Sequence, residues 1–174
     1  MPNPLVAVPA SWRRARSTPT LSLVDSSECT CFHVRRLARR VTQFYDRALA
    51  SCGLRVTQYS LLSQLTAHGP LPMSVIADLL DMDRTTLTRN LKPLIDAKLV
   101  TLARSAADAR VRTVVLTAAG RARRAAAHRL WRRAQDTVDG ALGDAHVDAL
   151  HRRLDDLTDT FNTRLGTQST GDHA

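Results

Sequence analysis

Aromatic residues make up only 4% of the 174 positions, against 44% for apolar residues as a whole, so a core has to be built from Leu, Val, Ile and Ala. Lysine is nearly missing: Lys92 and Lys98 are the only two, and the formal charge of +9 is carried by arginine. No apolar run approaches the ~20 residues that cross a bilayer, which argues against a membrane partner. The opening segment, MPNPLVAVPASWRRARSTP, sets its weak apolar stretch ahead of its arginines, the reverse of a secretory signal, so a cytoplasmic location is expected. Cys29, Cys31 and Cys52 are odd in number, and a reducing compartment would keep them from forming a disulfide framework. Catalytic signatures are missing as well. There is no glycine-rich phosphate loop, no G-x-S-x-G elbow and no H-E-x-x-H, and Asp155-Asp156 stands without a base or metal pattern beside it. The expectation is a protein that is not an enzyme and uses no cofactor and no metal.

What is present is positive charge and helical periodicity. A basic chain suits a polyanion, because each phosphate neutralised releases condensed counterions. An arginine excess also follows from a GC-rich genome, so the charge becomes informative only where arginines fall on groove-facing positions. Residues 1–24 hold four prolines and little periodicity, which reads as a flexible basic arm. Asp25-x-x-Glu28 has the form of a capping box, and Val34, Leu37, Val41, Phe44 and Ala48 then recur at helical spacing to about Ala50. Thr57 is a candidate N-cap for a second helix that places Leu61, Leu62 and Leu65 inward and stops at His68-Gly69-Pro70. Thr117 can cap a long Ala- and Arg-rich helix from Ala118 to about Val138. After Gly140 and Gly143 a last helix aligns Val147, Leu150, Leu154, Leu157, Phe161 and Leu165.

Leu71 to Thr117 is the most specific stretch. It predicts a helix at about 73–80, a tight turn, a helix at about 84–97, then strands Leu99–Arg104 and Val111–Leu116 around a polar loop. That order is a winged helix-turn-helix, whose second helix enters the DNA major groove. Asp83 is the N-cap candidate of that helix; Leu87, Leu91, Leu94 and Ile95 form its buried face. Arg84, Thr85, Thr88, Arg89 and Lys92 are left to read the groove. Arg can fork to guanine, and Thr can donate, accept or touch a thymine methyl. Pro93 removes a backbone donor and clashes with the Arg89 carbonyl, so a bend or a loosened last turn is expected. In the loop, Arg110 suits a narrow minor groove, and Asp108 can hold its guanidinium. As a solvated pair these two would be worth at most about 1 kcal/mol. Arg104 and Arg112 are assigned to phosphates.

From about Cys31 to Leu165 the chain resembles the MarR family of dimeric winged-helix transcription regulators. The residues that carry the resemblance are Gly53-Leu54, Gln58 with Leu61-Leu62, Ile76-Ala77-x-x-Leu80, the run Asp83 to Arg89, Leu99-Val100, Asp108 with Arg110, and Leu116-Thr117-x-x-Gly120. It implies a mostly α fold with a small β-wing, a winged helix-turn-helix carried between N- and C-terminal dimerisation helices. The implied division is a helical dimerisation lobe at 25–52 and 118–165, a DNA-binding lobe at 53–117 and a disordered tail at 166–174. It also implies a recognition helix in the major groove, Arg110 in the minor groove, and control by a small phenolic or lipophilic effector or an oxidant. Where the family usually has Gly after the recognition helix, this chain has Lys98. Either Lys98 adopts a left-handed conformation at a cost of roughly 1 kcal/mol or the exit turn differs.

Cys29-Thr30-Cys31-Phe32-His33 admits three readings. The peroxide-responsive branch of the family places a reactive Cys near this point, and Cys31-Phe32 resembles it. Tyr45 lies fourteen residues on, where one partner Tyr is expected; the second expected Tyr is Arg35, whose charge favours a thiolate. A metal site from Cys29, Cys31 and His33 is the second reading, disfavoured if both cysteines lie inside a helix and point apart. The third is an inert small apolar side chain. A small-molecule effector pocket would lie near His33, Arg36, Arg40 and Tyr59, where arginines suit carboxylates or phenolates. The function expected is a homodimeric, sequence-specific regulator on double-stranded DNA, acting as a repressor of its promoter by occlusion. The alternatives are a non-specific architectural nucleic-acid binder, and a winged-helix dimer that no longer binds DNA.

Overall fold

The computed structural model describes residues 28–104 and 112–165. Thr30–Leu49 form helix α1, followed by a 3-10 turn over Ala50–Cys52. Val56–His68 form α2, Leu71–Pro72 a short strand β1, Met73–Leu79 α3 and Arg84–Asp96 α4. Val100–Arg104 and Arg112–Leu116 are strands β2 and β3; α5 (Ala118–Leu142) and α6 (Asp144–Thr160) follow, with a wider π turn over Phe161–Leu165. The arm at 1–24 and the tail at 166–174 lie outside the described residues.

Two compact units divide within α1, after Arg40. In the first, every side chain from Thr30 to Arg40 is exposed, Val34 and Leu37 among them. The helix does not begin at the expected capping box. The Cys29 carbonyl accepts the first helical bond, from His33 N–H at 3.2 Å, and Glu28 stands before the helix. Asp25 lies outside the described residues.

The second unit holds the core. Leu49, Leu61, Leu62, Ile76, Leu87, Leu94 and Val114 are essentially inaccessible, and Tyr59 is the one buried aromatic of the cluster. Helix α5 contributes Ala127, so α2 and α5 pack closely through a small residue. The sheet is antiparallel in the order β1-β3-β2, with Leu71 opposite Val114 and Val100 opposite Leu116. Strand β1 was not legible. Two residues carry no alternation, and Pro72 ends the run before a pattern forms.

Three expectations are corrected. Thr57 is not the N-cap of α2; Arg55 is, and its N–H is taken by Gln58 Oε1 at 3.0 Å, while Asp46 Oδ1 of α1 accepts from Val56 N–H at 2.7 Å. A carboxylate from a neighbouring helix thus replaces the local cap, leaving Thr57 for another partner. Helix α5 runs past Val138 to Leu142, because Gly140 stays helical and the break falls at Gly143, with φ +83°. One glycine costs a helix only about 1 kcal/mol, which the flanking turns outweigh. Helix α4 continues through Pro93 to Asp96, with no loss of its last turn. Pro93 is exposed, and the helix closes beyond it through Ala97 N–H to the Pro93 carbonyl at 3.0 Å.

Helices α3 and α4 end in the same way. Met82 N–H reaches the Ala77 carbonyl at 2.9 Å and Asp81 N–H the Asp78 carbonyl at 3.3 Å; Leu99 N–H reaches Leu94 at 2.8 Å and Lys98 N–H reaches Ile95 at 2.9 Å. Both are Schellman turns, which need a left-handed residue. Here they are Asp81, with φ +48°, and Lys98, with φ +55°. Lys98 therefore adopts the strained conformation, and Asp81 does so in the turn between the two helices, where a short polar side chain tolerates it.

Candidate nucleic-acid interface

Helix α4 separates cleanly into two faces. Leu87, Leu91 and Leu94 are buried, with Ile95 half-buried, while Arg84, Thr85, Thr88, Arg89 and Lys92 are all exposed. The helix starts where Asp83 Oδ1 accepts from Thr86 N–H at 2.8 Å and Asp83 Oδ2 accepts the Thr86 hydroxyl at 2.6 Å. Those bonds from the Thr86 side chain and backbone hold the Asp83 carboxyl below the usual carboxylate range. The reading residues thus rise directly from an anchored first turn.

Their chemistry is partly pre-set. Thr88 donates its hydroxyl hydrogen to the Arg84 carbonyl at 2.8 Å, so it faces outward as an acceptor and a methyl group. Lys92 Nζ lies 2.9 Å from Asp96 Oδ2 in an exposed pair one turn apart. Such a pair is worth only about 0.3–0.5 kcal/mol, so a phosphate can readily replace the carboxylate. Arg104 and Arg112 face each other across the register of β2 and β3. Like charges opposite one another weaken a ladder unless an anion lies between them. Arg84 and Arg112 also border one open cleft of about 570 Å³, together with Met73, Ser74, Ala77, Asp78 and Met82. Of the expected groove-reading and phosphate residues, Arg84 and Arg112 are therefore brought to one cleft, with Arg104 opposite Arg112. Asp108 and Arg110 lie outside the described residues.

The candidates for regulation are more scattered. Cys31 is exposed, and Cys29 and Cys52 are half-buried; all are free thiols. No three of His, Cys, Asp or Glu converge as metal ligands among the described residues. Tyr45 gives its hydroxyl hydrogen to Gln135 Oε1 of α5 at 2.6 Å, and burial, followed by the nearby Asp139 charge, pushes its pKa above the ordinary phenol value. Arg35, Arg36 and Arg40 are exposed on the first unit, as is His33, whose ring meets Phe32 edge-on at 5.7 Å. Tyr59 is buried in the second unit, its hydroxyl 2.8 Å from His128 Nδ1. Tyr59, His128 and Trp131 form three near-parallel rings, with centroids 5.6–6.4 Å apart. His128 and Trp131 stand three apart on α5, which is visible in the sequence, but their partner on α2 is 69 residues from His128 and is not.

Sequence reasoning also missed Asp46 and Asn90, and gave Thr57 a different role. Thr57 Oγ1 donates to Asn90 Oδ1 at 2.8 Å, joining α2 to the recognition helix. Beside it, Asp46, Ala50, Gly53, Leu54, Arg55, Gln58 and Pro93 line an open cleft. No described helix is long and apolar enough to cross a membrane.

The profile of the MarR family matches residues 53–111. Among solved structures, the M. tuberculosis transcriptional regulator MosR in complex with DNA is 38% identical, over 78% of this chain and 97% of that one, with a TM-score of 0.71. The transcriptional repressor CouR bound to a 23-mer DNA duplex is 28% identical, over 80% and 99% of the two chains, with a TM-score of 0.70. CouR bound to p-coumaroyl-CoA is 27% identical, over 83% and 99%, with a TM-score of 0.69. Comparison with curated sequences returns no match. With its winged helix-turn-helix, its recognition run and a 38% identical relative that it spans almost end to end, the chain belongs to the MarR family of transcription regulators.

Proposed function

We propose that the protein is a sequence-specific regulator that binds a pseudo-palindromic operator on double-stranded DNA as a homodimer and represses by occluding the promoter. The carrying observation is the two-faced helix α4: Arg84, Thr85, Thr88, Arg89 and Lys92 are exposed, while Leu87, Leu91 and Leu94 are buried in the core. Support for DNA as partner comes from MosR and CouR, both solved on DNA. Within the DNA-binding lobe at 53–117, Arg84, Thr85, Thr88, Arg89 and Lys92 read bases, and Arg104 and Arg112 hold phosphates. Asp108 and Arg110 serve the minor groove.

The dimer is supported by two uncovered apolar stripes. Val34, Leu37 and Val41 on α1 are exposed, as are Leu150, Leu154, Leu157 and Phe161 at the C-terminal end. Spacings of three and four residues make each a seam for a second copy. Control is exerted by a small phenolic or lipophilic effector, or by oxidation of Cys31 or Cys29. CouR in complex with p-coumaroyl-CoA supports the former for a relative. In the latter, a hydroperoxide transfers one oxygen to the thiolate, giving the sulfenic acid and releasing the alcohol, and added thiol reverses it.

Fluorescence anisotropy tests the reading, using the duplex upstream of the protein's own coding region, a duplex selected from a randomised pool, and a scrambled control. The expected preference is about 10³-fold or more at fixed salt. Loss with peroxide and recovery with thiol assign the switch to the cysteines; selective binding indifferent to peroxide keeps the regulator and turns the search to small lipophilic acids. Equal binding to all duplexes with a steep salt slope replaces the regulator by an architectural binder.

A further inference from the structure

The buried side of α4 is held by contacts that have no direction. Leu87, Leu91 and Leu94 are enclosed, and apolar packing by itself permits small rotations and slides of a helix. Two polar side chains of the helix, Thr86 and Asn90, are half-buried beside them. Half-buried Asn90 donates through Nδ2 to the Thr86 carbonyl at 2.9 Å and accepts through Oδ1 from the Thr57 hydroxyl at 2.8 Å. Donation to a carbonyl fixes which way the carboxamide faces, so Oδ1 is the atom that meets Thr57. Thr57 is itself held. It follows Val56, whose N–H is bound by Asp46 Oδ1 of α1 at 2.7 Å. On the other side, Thr86 is bonded to the helix cap Asp83. Directional bonds therefore run from α1 through the first turn of α2 to the first turn of α4.

We propose that Thr57 and Asn90 are positioning residues for DNA recognition: their hydrogen bond sets the rotation of α4 and so the placement of Thr85, Thr88 and Arg89 against base edges. This rests on the operator-binding reading above. Side-chain tips lie about 6 Å from a helix axis, so a rotation of roughly 20° moves them by about 2 Å. That displacement is enough to break a hydrogen bond to a base. Phosphate contacts from flexible arginines tolerate the same rotation, so the pair acts on specificity more than on total affinity.

Thr57→Val keeps the shape of threonine and removes its hydroxyl. Thr57→Val combined with Asn90→Leu removes both partners and leaves no orphaned acceptor, which spares stability. Thr57→Ser keeps the donor. Anisotropy is measured at two salt concentrations with a duplex selected from a randomised pool by the wild-type protein and with a scrambled duplex, alongside thermal midpoints. Thr57→Val and the double variant are expected to lose preference about tenfold, the worth of one base-reading contact, with scrambled-duplex affinity and salt slope unchanged. Thr57→Ser retains the wild-type preference. The double variant recovers the thermal midpoint that Thr57→Val loses, but not its preference. A double variant with wild-type preference, or an equal loss on both duplexes, would overturn the proposal by showing that the bond serves stability alone. A wild-type protein from which no preferred duplex can be selected overturns the regulator reading, and the positioning role with it.

Discussion

At the scale of single residues, the conformationally demanding positions surround the recognition helix. Lys98 keeps its left-handed conformation because its neighbours close around it: Thr117 donates its hydroxyl to the Lys98 carbonyl at 2.9 Å and lies 3.0 Å from that of Leu99. The same Thr117 oxygen accepts from Gly120 N–H at 3.0 Å, which starts α5 directly against the end of α4. This approach leaves no room at Gly120. A Cβ there would run into the Leu99 carbonyl oxygen and come within 2.7 Å of Leu116 Cδ1. Gly120→Ala is expected to destabilise the fold by about 1–3 kcal/mol, since backbone atoms must move to admit the methyl group. Thermal unfolding reads this as a fall in midpoint of several degrees; an unchanged midpoint would mean that α5 does not seat as described. The Thr-x-x-Gly pattern was legible in the sequence. The reason for its glycine was not, because Leu99 lies at the far end of the sheet hairpin in sequence.

At the scale of elements, the proposed function divides the work of recognition between α4 and the sheet. Arg89 projects from the second turn of α4, beside Thr85 and Thr88, whereas Arg112 opens β3 opposite Arg104. Arg89→Ala is expected to weaken operator binding by about 1–3 kcal/mol while leaving scrambled-duplex binding nearly untouched. Arg112→Ala is expected to weaken both duplexes by a similar factor and to lower the salt slope by about one. A titration of both variants at several salt concentrations checks the division; a uniform loss from Arg89→Ala would reassign it to the backbone. The composition of each element made this arrangement readable, since the leucines at 87, 91 and 94 leave only one face for the arginines and threonines. Element boundaries were less readable. Helix α2 starts through an acceptor on α1, and α5 passes through Gly140, both outcomes of packing rather than of local propensity.

At the scale of the whole molecule, one chain carries one reading head. Leu154 and Leu157 remain 44% and 50% exposed, a level at which a leucine contributes little to its own fold. Replacing both by arginine is therefore expected to leave the monomer folded, with a midpoint that no longer depends on protein concentration. The same change should convert a dimer to a monomer in sedimentation velocity and abolish cooperative binding to two half-sites about 34 Å apart. A double variant that remains dimeric would place the second copy on another surface.

Spacing and capping along the chain were enough to establish the class of the molecule: periodic leucines fixed which faces are buried, Asp83 and Thr117 fixed where two helices begin, and the polar remainder of α4 fixed what faces outward. These are local consequences of helical spacing and capping. Long-range packing was needed to show that Asp46 caps a helix ten residues away and that Thr117 closes around the left-handed Lys98. It also decided that Thr57 meets Asn90 across 33 residues and that Tyr59 stacks on His128 and Trp131. Hydrogen bonds and ring contacts of that kind need partners brought close by the collapse of a core, and no spacing along the chain encodes which partner a polar side chain will find.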